Sequence, residues 1–123
     1  MRPLTGKLLA IGAVACFALL GAGTSAADDV ARGAGVYKTY GCWTCHGEGG
    51  AGDGPAGATL EPKPRKFTEG DFKFGGTDKD IYEVIVNGAA SKGGSANMVP
   101  WGGVITDEAD RQALVKFIRS LKK

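Results

Sequence analysis

The stretch GCWTCHGEGG, residues 41–50, decides how this chain is interpreted. It separates Cys42 from Cys45 by two residues, and His46 follows the second cysteine directly. A pair of cysteines with this spacing occurs in zinc sites, in redox disulfides and, when a histidine follows, at points of haem attachment. The rest of the chain discriminates among these sites, chiefly through the ligands it lacks.

Two of the three interpretations find little support in the sequence. A closed structural zinc site needs four protein ligands, and residues 47–123 contain no Cys or His, so a carboxylate would have to complete the set. A thioredoxin-like pair lies beside a β-α-β pattern, and the chain has no clear run of alternating residues that predicts strands. Zinc and a redox disulfide therefore stay as less favoured alternatives.

Haem attachment explains both the spacing and the histidine. Each thiol adds across a vinyl group on one edge of the porphyrin, and one helical turn brings Cys42 and Cys45 to two neighbouring points. His46 then projects beneath the ring, where its imidazole binds the iron. For the opposite face, His46 is the only histidine, and Met98 is the only methionine besides Met1. A lone methionine is usually a core filler, but Met98 lies in the loop GGSANMVPWGG and is the only soft ligand left.

The first 26 residues have the layout of a secretory signal peptide. Arg2 and Lys7 give a positive start, the run 8–22 is apolar and uncharged, and small residues follow before the first acidic ones. This run is shorter than the ~20 residues that a spanning helix needs. We therefore expect residues 1–26 to be removed.

Cleavage after Ala26 or Ala27 would leave one domain, residues 27–123. Export predicts a periplasmic location without stable membrane insertion. The formal net charge of +2 equals the charge of the two leader cations, so the mature chain is near neutral, which argues against nucleic acid as a partner. Cys16 is interpreted as a small hydrophobe of the leader; a lipidated Cys16 or a retained leader is the alternative.

Apolar spacing and capping residues predict an all-α domain. A first helix is expected within residues 28–42. A second is expected within 77–88, where Thr77 and Asp80 fit a capping box and Gly88 is placed to end the helix.

The last helix is predicted within residues 106–123, with Thr106 as its cap. Between the first two helices, residues 47–76 are rich in Gly and Pro and are expected to form a loop. The predicted buried face of the last helix consists of Leu114, Phe117, Ile118 and Leu121. The apolar residues of the loop, which we expect to wrap something apolar, are Leu60, Phe67, Phe72 and Phe74.

With these features in place, the chain resembles the small monohaem class I c-type cytochromes of bacterial periplasms. The resemblance rests on GVYKTYGCWTCHG, GDGPAGATLEPKPRKF, NMVPW and the final ITDEADRQALVKFIRSLKK, and it covers residues 27–123. It implies the cytochrome c fold, with three main helices and loops wrapped around one haem c that is covalently bound through Cys42 and Cys45. It also implies that the first helix crosses the last, with Gly33 or Gly35 near Phe117 and Leu121.

The resemblance further implies roles for individual residues. The carbonyl of Pro55 would accept the hydrogen bond of the His46 imidazole and fix its orientation. Around the haem propionates the resemblance places Trp101 and one or more of Lys63, Arg65 and Lys66.

An iron held by His46 and Met98 has no open position for a substrate. We therefore expect a one-electron carrier rather than an enzyme, a monomer that docks transiently with redox partner proteins through the haem edge. Two alternatives stay open: a gas- or peroxide-binding protein with a labile Met98, and a haem subunit tethered to a larger oxidoreductase.

Overall fold

The computed structural model describes residues 1, 3, 6, 10, 12–16 and 21–123. Arg2, Lys7 and much of the apolar run of the predicted leader lie outside the described residues. Within the described part, no helix is both long enough and apolar enough to cross a membrane.

The architecture is all-α, as predicted. Over the residues described there is no strand, and three main helices are joined by long loops and short helical turns. The α-helices are α1 (Ala26–Thr39), α2 (Trp43–His46), α3 (Asp78–Asn87) and α4 (Glu108–Ser120), with 3₁₀ turns at Phe67–Glu69 and Ala89–Lys92.

Side-chain caps set where α1 and α3 begin. Ser25 and Asp28 form a capping box at α1, so the predicted cleavage positions fall in its first turn. At α3 the predicted box of Thr77 and Asp80 is present, and Gly88 follows the last residue, as expected. These caps satisfy amide groups that have no partner inside a helix.

The predicted cap of α4 was wrong by one residue. The side chain of Asp107, not that of Thr106, accepts a hydrogen bond from the Ala109 amide at 2.8 Å, and the helix begins at Glu108. A carboxylate is at least as good a cap as a threonine hydroxyl, and its charge also suits the positive end of the helix.

Helices α1 and α4 cross at a point where α1 has no side chain. A Cβ atom on Gly33 would collide with the carbonyl oxygen of Ala113 and would lie 2.6 Å from Cβ of Phe117, whereas one on Gly35 would meet open space. Of the two glycines expected at the crossing, Gly33 is therefore the one that permits it. The Tyr37 and Phe117 rings pack beside it with centroids 5.1 Å apart.

One hydrophobic core connects the three main helices with the loops. Ile105, Leu114 and Val115 are its most completely buried large side chains. The predicted face of α4 is buried at Leu114 and Ile118, while Phe117 and Leu121 are only partly buried against the core. The other buried core residues are Val36, Tyr37, Phe67, Ile81 and Ile85.

Candidate haem-binding site

The Cys-x-x-Cys-His segment lies on a single helical turn. Cys42 caps α2 on its N-terminal side, Cys45 and His46 lie within it, and the His46 amide donates to the Cys42 carbonyl at 3.0 Å. Both cysteines are free thiols that are partly exposed, and both border the same cavity as His46. The turn therefore presents two sulfur atoms and one imidazole to a common space.

The loop that follows packs its backbone directly against this turn. The amide of Gly54 donates to the Cys45 carbonyl at 3.2 Å, and the amide of Ala56 donates to the Thr44 carbonyl at 2.8 Å. A Cβ on Gly57 would lie 2.6 Å from the Cys45 carbonyl oxygen. Carbonyl groups at the end of a short helix need such partners, and glycine allows the close approach.

The orientation of His46 is set by one hydrogen bond and one ring. Its Nδ1 lies 3.1 Å from the carbonyl oxygen of Arg65, and since a carbonyl only accepts, Nδ1 carries the proton and Nε2 keeps its lone pair. The imidazole stacks on Phe67 with centroids 4.4 Å apart and 19° between the planes. Burial lowers the pKa of His46, and the bond to the Arg65 carbonyl opposes this only in part. A neutral imidazole with a free Nε2 is the form that binds a metal.

The expected acceptor for this imidazole, the carbonyl of Pro55, is corrected to that of Arg65. Pro55 is exposed and does not border the cavity. It lies between the amides of Gly54 and Ala56, which are both bonded to carbonyls of the attachment turn. The Phe67 amide donates to the Gly50 carbonyl at 2.7 Å, and this bond brings the end of the loop back to the imidazole.

The cysteine chemistry does not favour a redox disulfide. Burial raises the pKa of the Cys42 thiol to about 11. Redox-active pairs instead depend on a thiolate whose pKa is lowered by its surroundings. In the part of the chain that the structure describes, no group of three or more His, Cys, Asp or Glu side chains is placed to hold a metal.

The cavity has a volume of about 320 Å³, within the range of small-molecule and cofactor sites. The apolar residues of the long loop border it, as the sequence predicted, and α3 supplies a further wall. Its apolar lining includes Leu60, Phe67, Phe72, Phe74, Ile81 and Ile85.

Met98 borders this cavity from the loop that follows α3. Its carbonyl accepts from the Ala89 amide at 3.1 Å, and its own amide donates to the Ser95 carbonyl at 3.3 Å. Further along, the Trp101 amide donates to the Ile85 carbonyl at 2.9 Å. These bonds hold both Met98 and Trp101 at the edge of the cavity.

Two of the three cations expected near the propionates border the main cavity, and the third does not. Lys63 and Arg65 border the main cavity, whereas Lys66 lies outside it. Arg65 lies 3.7 Å from Asp71, and Lys66 lies 3.3 Å from Glu69. Sequence reasoning missed the role of the Arg65 backbone, since the identity of a side chain says nothing about where its carbonyl lies.

Taken together, these residues fit a covalently bound haem. Two thiols, a neutral imidazole and a thioether border one apolar cavity, and two cations lie on its wall. Thiols form the covalent links of haem c, and imidazole and thioether are axial ligands of haem iron.

Comparisons with known proteins agree with this chemistry. No curated protein sequence matches the chain. Among solved structures, it is similar to a chain of the reducing HAO-like protein complex of Kuenenia stuttgartiensis, with 39% identity and a TM-score of 0.61 over 74% of this chain. The match spans only 41% of that longer chain. A family model for cytochrome c matches residues 30–122. The chain therefore belongs to the cytochrome c family, in which haem c serves electron transfer and is covalently bound through cysteines, here Cys42 and Cys45.

Proposed function

We propose that the protein is a periplasmic one-electron carrier in which His46 and Met98 are the axial ligands of the haem iron. The bound haem supplies a one-electron change between the ferric and ferrous states. The observation that carries the proposal is that His46, Met98 and both attachment cysteines border one apolar cavity.

On the proximal side, the Arg65 carbonyl keeps the imidazole in one orientation. Since Nδ1 of His46 donates to that carbonyl at 3.1 Å, Nε2 is the nitrogen available to the iron. A hydrogen bond of this kind also raises the basicity of the ligating nitrogen. The Phe67 ring, stacked on the imidazole, prevents it from tilting.

On the distal side, the Met98 thioether favours the ferrous state and so raises the reduction potential relative to two histidines. The apolar lining acts in the same direction, because it disfavours the additional charge of the ferric state. With both axial positions filled by the protein, no position remains for a substrate. This supports a carrier rather than an enzyme.

Partner proteins would dock where the cavity reaches the surface. Lys63 and Arg65 lie at this edge with more than a third of each side chain exposed, and Val99 beside Met98 is 47% exposed. Lys63 and Arg65 each lie 3.7 Å from a carboxylate, that of Glu61 and that of Asp71 respectively. A small surface of paired charges and apolar side chains suits brief contacts with redox proteins. The leader pattern of residues 1–26 supports export to the periplasm.

One observation favours a second candidate, a haem subunit of a larger oxidoreductase. The similar solved chain belongs to a protein complex and is much longer than this one. Mass spectrometry of the purified N-terminus and co-purification from the native cell distinguish the two candidates. A carrier gives a cleaved chain that purifies alone; a subunit gives a chain that is retained with partners.

Met98→Ala is the direct test of the axial ligand. We expect loss of the ferric Met–iron absorption, carbon monoxide binding in the reduced state, and a lower potential within the ~0.8 V range that axial ligands span. The matched control is Val104→Ala, which truncates an exposed side chain that does not border the cavity and should leave all three properties unchanged. An unaltered absorption in Met98→Ala would refute the ligand assignment.

A further inference from the structure

We propose that Phe74 and Gly94 form a contact that positions Met98 over the cavity. The inference rests on the proposed ligation by Met98 and extends it to a residue of another loop. Phe74 is thus a positioning residue for Met98 through the loop that carries this ligand, in addition to being part of the cavity lining.

The tip of the Phe74 ring faces the backbone of Gly94, which has no side chain. A Cβ on Gly94 would lie 2.5 Å from Cζ and 2.8 Å from Cε2 of Phe74. No such distance is tolerated between real carbon atoms, so the ring fits against Gly94 only because the side chain is absent there. Phe74 also borders the cavity, and its ring is partly exposed.

Gly94 is tied to Met98 through a single residue, Ala89. The Gly94 amide donates to the Ala89 carbonyl at 2.8 Å, and the Ala89 amide donates to the Met98 carbonyl at 3.1 Å. Ala89 therefore clamps both ends of the segment 94–98. A shift of Gly94 is passed to Met98 across four residues and two hydrogen bonds.

The rest of this segment is poorly covered by side chains. Ala96 and Asn97 are exposed, and Gly94 and Ser95 are only partly buried. On the side of Gly94 where a Cβ would lie, the nearest atoms are those of Phe74, followed by the Ala89 carbonyl oxygen. A rigid ring at this point limits the positions that the segment can take, so its removal should increase the fraction of molecules in which Met98 has left the iron.

That fraction can be measured with an external ligand. The apparent affinity of reduced protein for carbon monoxide scales with the fraction of molecules whose distal position is open. We expect Phe74→Ala to raise this affinity about tenfold, which corresponds to about 1.4 kcal/mol, and to weaken the ferric Met–iron absorption. Gly94→Ala should act in the same direction, because its methyl group displaces the ring while Phe74 itself is kept.

The double variant tests whether the two residues act as one unit. If they do, Gly94→Ala raises the carbon monoxide affinity by a smaller factor in the Phe74→Ala background than in the wild-type chain, because the ring is already absent. Additive effects would overturn the proposed contact. Gly94→Ala also serves as the second probe if Phe74→Ala fails to fold.

Phe117→Ala is the matched control for a general loss of stability. Phe117 is likewise partly exposed, but it packs on Tyr37 in the interface of α1 and α4 and does not border the cavity. This variant should unfold more easily while its Met–iron absorption and carbon monoxide affinity stay at the wild-type level.

The outcomes distinguish this inference from the proposed ligation. If Met98→Ala alters both readouts and the variants at Phe74 and Gly94 alter neither, this inference fails and the proposed ligand stands. If Met98→Ala also alters neither, both fail.

Discussion

Gly33 and Gly35 lie two residues apart on α1 in opposite surroundings, and they give a prediction at the scale of single residues. Gly33→Ala should lower the free energy of unfolding by about 2 kcal/mol, because its methyl group meets the Ala113 carbonyl oxygen and overpacking costs more than the helix gains. Gly35→Ala enters open space and should raise the free energy of unfolding by up to about 1 kcal/mol through helix propensity. Urea denaturation monitored by circular dichroism measures both. Equal effects of the two substitutions would refute the crossing at Gly33.

Single residues also show what sequence reasoning can and cannot reach in the site. The types and spacing of Cys42, Cys45 and His46 predict haem attachment, because that chemistry depends on side chains. The acceptor of the His46 proton is a backbone carbonyl, and every residue has one. Choosing Arg65 over Pro55 requires the path of the loop, which depends on backbone hydrogen bonds that leave no pattern in the residue types.

At the scale of elements, α3 shows how a cap links stability to pH. The hydrogen bonds from the Thr77 side chain and backbone hold the pKa of Asp80 below its ordinary value of 3.8. A lowered pKa in the folded state adds stability that is present above the unfolded pKa and is lost as the pH falls through the folded value. The box at Thr77 and Asp80 should therefore stabilise α3 at neutral pH and stop doing so in strong acid.

Thr77→Ala tests this link. We expect the free energy of unfolding at pH 7 to fall by about 1 kcal/mol and acid unfolding to begin at a higher pH, as the pKa of Asp80 returns toward 3.8. Thr77→Ser keeps the hydroxyl and should behave like the wild-type chain. Acid titrations followed by circular dichroism compare the three proteins, and identical curves for Ala and Ser would contradict the prediction.

Helices were predictable to the extent that their signals are periodic or local. The capping box of α3 and the buried face of α4 are encoded within a few residues of sequence. The box was confirmed, and the face was confirmed at Leu114 and Ile118, whereas Phe117 and Leu121 are only partly buried and the cap of α4 is Asp107 rather than Thr106. The contact of Phe74 with Gly94 joins two loops without periodicity. Sequence alone shows an aromatic residue and a glycine 20 positions apart, and nothing in their types relates one to the other.

On the scale of the whole molecule, the cavity makes the haem a part of the core. The cavity of about 320 Å³ is bordered by residues of all four helices and of the two long connecting segments, 47–77 and 88–107. At ~24 cal/mol per Å³, leaving such a volume unfilled would cost on the order of 8 kcal/mol as an upper bound. A domain of this size has a net stability of about 5–15 kcal/mol. The haem is therefore expected to contribute a substantial part of the stability of the folded domain.

Replacing both attachment cysteines tests that argument. The double variant Cys42→Ala, Cys45→Ala should lose covalent haem, much of its helical circular dichroism and its cooperative unfolding transition, because α1, α3 and α4 then surround an apolar space that water fills poorly. Cys16→Ala is the matched control: it removes a cysteine from the predicted leader and should retain the haem content and the transition. If the double variant unfolds cooperatively with wild-type helicity and no haem, the side chains alone form a sufficient core and the unfilled cavity costs little stability. If instead helicity and the cooperative transition are both lost when the two thiols are absent, the attachment turn links the chemistry of residues 42–46 to the folding of the entire domain.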